Sequence, residues 1–156
     1  MSIALHRIDD RLIHGQVVVG WGRPLGVGFI ALVDDTVAAS EWEQELYRMG
    51  VPPEMTLYFA DVAAAEREHP KWESDERVGI VLTADIGTMA RLAAAVPITG
   101  VNLGGIHHAP ARTQRLQYVF LSVDEEQALR ALAERGVKIS AQDVPGGKPV
   151  ELGDLL

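Results

Sequence analysis

The chain has 156 residues, 47% of them apolar and 23% charged, the size and composition of one folded domain and far from that of a disordered segment. Its 22 acidic against 14 basic residues leave a net charge of -8, which repels nucleic-acid phosphate and anionic lipid over most of the surface, so no nucleic-acid partner is expected. There is no cysteine for a disulfide framework or thiolate metal site, and no apolar run of signal-peptide or membrane-spanning length, so a cytoplasmic location is expected.

In chain order, short β-rich apolar runs predict strands at 3–8, 29–33, 56–59, 79–83, 100–103, 118–122 and 138–141. Between them, helical periodicity and end signals predict helices at 16–21, 40–49, 62–68, 86–94 and 124–135. The last helix is bounded by Ser122 followed by acids and by Arg135-Gly136, the residue types that helix ends favour. The charged stretch 71–77, after Pro70, reads as turn-like. This alternation predicts a single α/β domain over 1–156, with a mainly parallel central sheet of roughly seven strands flanked by helices on both faces. Ligands of such folds bind beyond the carboxyl ends of strands, so chemistry is sought in the loops that follow them.

The first such loop is the richest. Arg7-Ile8-Asp9-Asp10-Arg11-Leu12-Ile13-His14-Gly15-Gln16 brings two carboxylates, two guanidinium groups and an imidazole into one strand-to-helix turn. An ordinary imidazole titrates near ~6.5 and is a nucleophile when uncharged. His14 is therefore the candidate phosphoryl acceptor. Arg11 can meet phosphoryl oxygens with a bidentate fork, Arg7 offers a second cation, and Asp10 or Asp9 can orient the unreactive ring nitrogen. Gly15 permits close backbone approach, and the N–H of Gln16 would point at a bound anion. The same residues also suit a solvated turn with a salt bridge.

The string from Arg7 to Val17 resembles the active-site signature of the IIB components of the mannose/fructose/sorbose family of the bacterial phosphotransferase system. Trp21, Val33-Asp34-Asp35, Gly100-Val-Asn-Leu-Gly-Gly105 and Val144-Pro145 resemble further landmarks of that family in order. The resemblance implies a phosphotransferase, a protein-N(pi)-phosphohistidine–sugar phosphotransferase component. Its His14 would take a phosphoryl group from a phosphorylated IIA protein and pass it to a sugar entering through membrane IIC and IID partners. It implies no cofactor and is compatible with a homodimer; the sugar and the reacting ring nitrogen are left open.

Elsewhere, Gly104 and Gly105 could present backbone N–H groups to phosphate opposite His14. His107 and His108 diverge too much for a zinc site, and no metal site is expected. Asp34-Asp35 suits helix capping better than magnesium. Two rival functions use the same features. One is a stand-alone regulatory relay with this fold. The other is a receiver-like domain phosphorylated on Asp, suggested by Asp9-Asp10, Asp61 and Thr83 at strand ends but lacking a Lys after the fifth strand.

Overall fold

The computed structural model describes residues 2–156. Seven strands form one sheet in the order β3-β2-β4-β1-β5-β8-β9. They are β1 (Ile3–Ile8), β2 (Val27–Val33), β3 (Thr56–Ala60), β4 (Val78–Thr83), β5 (Gly100–Leu103), β8 (Lys138–Ala141) and β9 (Val150–Glu151). All neighbours run parallel except β9, which is antiparallel to β8. β2 and β4 are nearly unbroken apolar runs because both of their faces are covered.

Six helices and one π-helical segment clothe the two faces. On one face, Val17, Val18 and Trp21 of the π-helical Gln16–Trp21 pack with Val37 of α2 (Asp35–Ala38) over Ile30, Leu32, Ile80 and Leu82. α1 (Gly22–Leu25) and α3 (Glu41–Met49) complete this layer. On the other, α4 (Val62–Glu73), α5 (Ile86–Ala93) and α6 (Val123–Glu134) bury Trp72, Met89, Leu92, Leu129 and Leu132 against Ala31, Val81, Leu103 and Ile139. A last short helix, α7 (Leu152–Leu155), follows β9. The caps follow local chemistry: Asp34, Ser40, Asp61, Asp85 and Ser122 each accept a backbone N–H at a helix start, and Ser122 with Glu125 forms a capping box.

Four expectations change. The run 118–122 is not a strand of the main sheet. Its core, β7 (Val119–Leu121), pairs with β6 (Thr113–Leu116) as a separate hairpin that meets Ile106, and the seventh place in the sheet goes to β9. Val119 and Leu121 are buried in this flap as fully as in a central strand, so apolarity alone could not tell the two apart. The predicted helix 62–68 runs on to Glu73, through Pro70. Burial of His69 and Trp72 holds its last turn against the sheet despite the missing proline N–H. The segment Gln16–Trp21 has π rather than α geometry, and α1, α2, α7 and β6 are short elements the periodicity does not reveal.

Topology fixes where function sits. β1 is flanked by β4 and β5; the chain leaving β1 enters the π-helical face, whereas the chain leaving β4 enters α5 on the opposite face. The diverging connections open a crevice at the carboxyl end of β1, where Asp9 to His14 follow.

Candidate functional site: a charged loop after the central strand

Asp9 organises the loop. It is fully buried, and three side chains converge on it. Arg11 grips it with a fork, Nε to Oδ1 at 2.9 Å and NH2 to Oδ2 at 2.8 Å, and adds its backbone N–H to Oδ1 at 3.1 Å. Arg7 NH2 donates to Oδ2 at 3.2 Å. His14 Nε2 lies 3.3 Å from Oδ2, within reach of its charge though not aligned as a formed hydrogen bond. Burial pushes the Asp9 carboxyl up, but contact with His14 and Arg11 and the charges of Arg7 and Arg11 win and hold it well below the usual carboxylate range. Asp9 is thus a fixed anion.

The histidine is set by two contacts. Its Nδ1 accepts the backbone N–H of Gln16 at 3.2 Å, which assigns the lone pair to Nδ1 and the proton to Nε2, facing Asp9. Nε2 is buried while the His14 side chain as a whole is 20% exposed, so the exposed part of the ring is not its Asp9 side; a Cβ placed on the adjoining Gly15 would meet nothing within 4 Å.

Several residues singled out in the sequence stand elsewhere than expected. Arg7 is no second cation at the surface: it is wholly buried, and its guanidinium is spent on Asp9, Asn102 Oδ1 and the carbonyls of Gln142 and Asp143, with the Trp21 ring 4.8 Å away. Burial lowers its pKa, and the charge of Asp9 opposes that shift. Asp10 does not orient His14. It holds His107 instead, accepting its backbone N–H at 2.7 Å and its Nδ1 at 2.5 Å, while Asp9 takes the place beside His14. Adjacent carboxylates face different ways, and sequence cannot say which faces the ring.

Gly104 donates its N–H to the Ile8 carbonyl at 2.7 Å and so has none to offer phosphate. What its lack of a side chain permits is the close passage of Arg7 and Asp9, into which a Cβ would collide; a Cβ on Gly105 would come within 3.0 Å of Arg11 Nε. His108 stacks edge-on against Phe120, away from His107. Among the described residues no group of three or more His, Asp or Glu side chains could hold a metal. The receiver-like features serve structure: Asp61 caps α4, and the Thr83 hydroxyl donates to the Asp85 carbonyl.

Two participants lie in or beside strand-end loops but are not among the expected site residues. Asp143, beyond β8, reaches Arg11 NH2 at 3.3 Å, and its carbonyl accepts from Arg7 and from Trp21 Nε1. Asn102 of β5 fixes Arg7. Only their position at neighbouring strand ends could have pointed to them.

A parallel α/β sheet with a histidine, a buried aspartate and an arginine fork at the end of its central strand suits a phosphoryl-carrying component of a transfer chain. Comparison with known proteins supplies the particular: residues 3–156 match the family described as PTS system sorbose subfamily IIB component, and the chain belongs to that family. It is 34% identical over its whole length to the mannose-specific EIIAB component of Escherichia coli, spanning about half (49%) of that longer protein. It is 32% identical to the sorbose-specific EIIB component of Klebsiella pneumoniae, covering 100% of this chain and 96% of that one. The crystal structure of an N-acetyl-galactosamine IIB component from Streptococcus pyogenes superposes with a TM-score of 0.92 at 25% identity, covering 100% of this chain and 98% of that one. No helix among the described residues is long and apolar enough to cross a membrane.

Proposed function

We propose that the chain is the IIB phosphotransferase of a sugar uptake system, carrying a phosphoryl group on Nδ1 of His14 between a cytoplasmic phosphorylated IIA protein and a sugar brought in by membrane IIC and IID partners. The observation that supports this most directly is the division of labour on the ring. Nε2 is buried against a carboxylate and keeps its proton, while the lone pair of Nδ1 is held by nothing but the Gln16 amide, on a ring that is still partly exposed.

In the transfer, Nδ1 attacks phosphorus as the N–P bond of the donor phosphohistidine breaks. The ring takes on positive character, which Asp9 stabilises from the far side. The Gln16 amide, released from Nδ1 as the new bond forms, and Arg11 meet the charge on the phosphoryl oxygens. Arg7, Asn102 and Gly104 act one layer behind by fixing Asp9. Onward transfer reverses the roles: a sugar hydroxyl attacks, the imidazole leaves in its neutral Nε2–H form, and the hydroxyl proton goes to solvent.

The test is phosphorylation by a phospho-IIA protein. Acid-labile, hydroxylamine-resistant label on the wild type and none on His14→Ala, with an unchanged denaturation midpoint, is the expected result. Retained label in His14→Ala overturns the assignment.

A further inference from the structure

Arg11 has five N–H donors, and the way they are divided suggests how the site is kept ready. The Nε/NH2 edge is committed to Asp9. The opposite edge, NH1/NH2, is where a phosphoryl group would be received, and it ends on two oxygens from separate parts of the chain: Gln16 Oε1 at 2.7 Å and Asp143 Oδ1 at 3.3 Å. Gln16 is also the residue whose N–H marks the reactive nitrogen, so its side-chain oxygen and the phosphoryl position lie beside each other.

Resting on the phosphoryl-acceptor reading above, we propose that Gln16 Oε1 and Asp143 Oδ1 hold the places of two phosphoryl oxygens on Arg11, and that Asp143, as a carboxylate, makes the carried group leave more readily. The two oxygens keep the guanidinium in its receiving orientation while His14 is unmodified. When the Nδ1–P bond forms, both give up Arg11. Gln16 is neutral and withdraws without electrostatic consequence. Asp143 cannot go far, because its carbonyl is tied to Arg7 NH2 at 3.2 Å and Trp21 Nε1 at 3.0 Å; only its side chain, 35% exposed, can turn toward solvent. Its negative charge stays near the phosphoryl dianion and raises the free energy of the loaded state. When the sugar O–P bond forms and the Nδ1–P bond breaks, the carboxylate returns to Arg11. Asp143 is a positioning residue with an electrostatic effect on the transfer equilibrium.

Asp143→Asn separates charge from shape, since it leaves an oxygen for Arg11 and the backbone carbonyl for Arg7 and Trp21. With a limiting amount of phosphoryl groups shared between this chain and a IIA protein, the variant should hold roughly three- to tenfold more of them relative to IIA than the wild type, as expected for one screened like-charge contact removed. The half-life of its phosphohistidine should lengthen while the denaturation midpoint stays put. Gln16→Glu, which adds a carboxylate at the other position, should shift the distribution toward IIA. A wild-type distribution and half-life in Asp143→Asn overturn the proposal, as does a variant that changes only the midpoint. If wild-type His14 takes no label at all, it is the parent reading that fails, a result distinct from either.

Discussion

The molecule contains the same three-residue device twice, at opposite ends of its sheet. In Asp9-Asp10-Arg11 and in Asp75-Glu76-Arg77, the arginine donates its backbone N–H and Nε to one aspartate oxygen and NH2 to the other. Before β4 the device is a staple: Arg77 spends further donors on Thr56 Oγ1 and Tyr58 Oη, joining the approach to β4 with β3, and among the described residues Asp75 has no second cation on it. After β1 the aspartate is buried, a second arginine and a histidine share it, and the outer edge of Arg11 faces the crevice. The motif is thus neutral as to function. Burial of the carboxylate, and what the spare guanidinium edge meets, decide whether it holds the fold or does chemistry.

The largest expected effect breaks this contrast at its centre. Asp9→Asn leaves the wholly buried Arg7 without its counter-ion, which should cost on the order of 3–5 kcal/mol in chemical denaturation and abolish labelling of His14. Asp75→Asn should shift the midpoint far less and leave transfer untouched. Equal destabilisation by both would show that burial is not what distinguishes them. Arg11→Lys comes next: a point charge in place of the fork should slow transfer from phospho-IIA by about tenfold, some ~1.4 kcal/mol of barrier, in a single-turnover assay. Arg77→Lys should leave that rate as it is.

A more gradual effect is one of pH, and it comes from neither device. Both aspartates are held below the usual carboxylate range, Asp75 at about 2, so neither gives a slope to stability above about pH 5. His6 and His69 do. Their Nε2 atoms lie 3.0 Å apart between β1 and α4, leaving room for one shared proton. Burial, with the neighbouring His69 adding to it, pushes His6 down to about 4, and burial lowers His69 against the opposing charge of Glu73. The unfolded chain therefore takes up protons from pH ~6.5 downward while the folded one resists until about 4. Stability should fall across that window by on the order of 1–3 kcal/mol and level off below it. His6→Gln should flatten the slope in pH-dependent denaturation.

Much of this was legible in the residues, because β2 and β4 are nearly unbroken apolar runs, the helices between strands start at strong cap signals, and the chemistry of the first loop is contiguous. What escaped did so for definite physical reasons. A hairpin that folds back as a flap and a strand that joins a sheet bury Val119 and Leu121 alike. Asp9 and Asp10 are indistinguishable until the loop assigns each a direction. Asp143 enters the site through the pairing of β8 with β5, a contact between positions far apart in sequence. Arg7 reads as an available cation until the structure places it under Asn102 and Trp21.

Leu12 has a φ of 60°, a left-handed backbone that costs a branched side chain about 1–2 kcal/mol. Its N–H is held by the Asp9 carbonyl at 3.0 Å, and with Ile13 it leans into the apolar layer beneath the π-helical segment. A loop that tolerates such a posture is gripped from below and does not wander between turnovers. For the proposed relay, this means loading and emptying with the His14 ring already aimed, and a cycle whose motion shrinks to a few side chains at the rim.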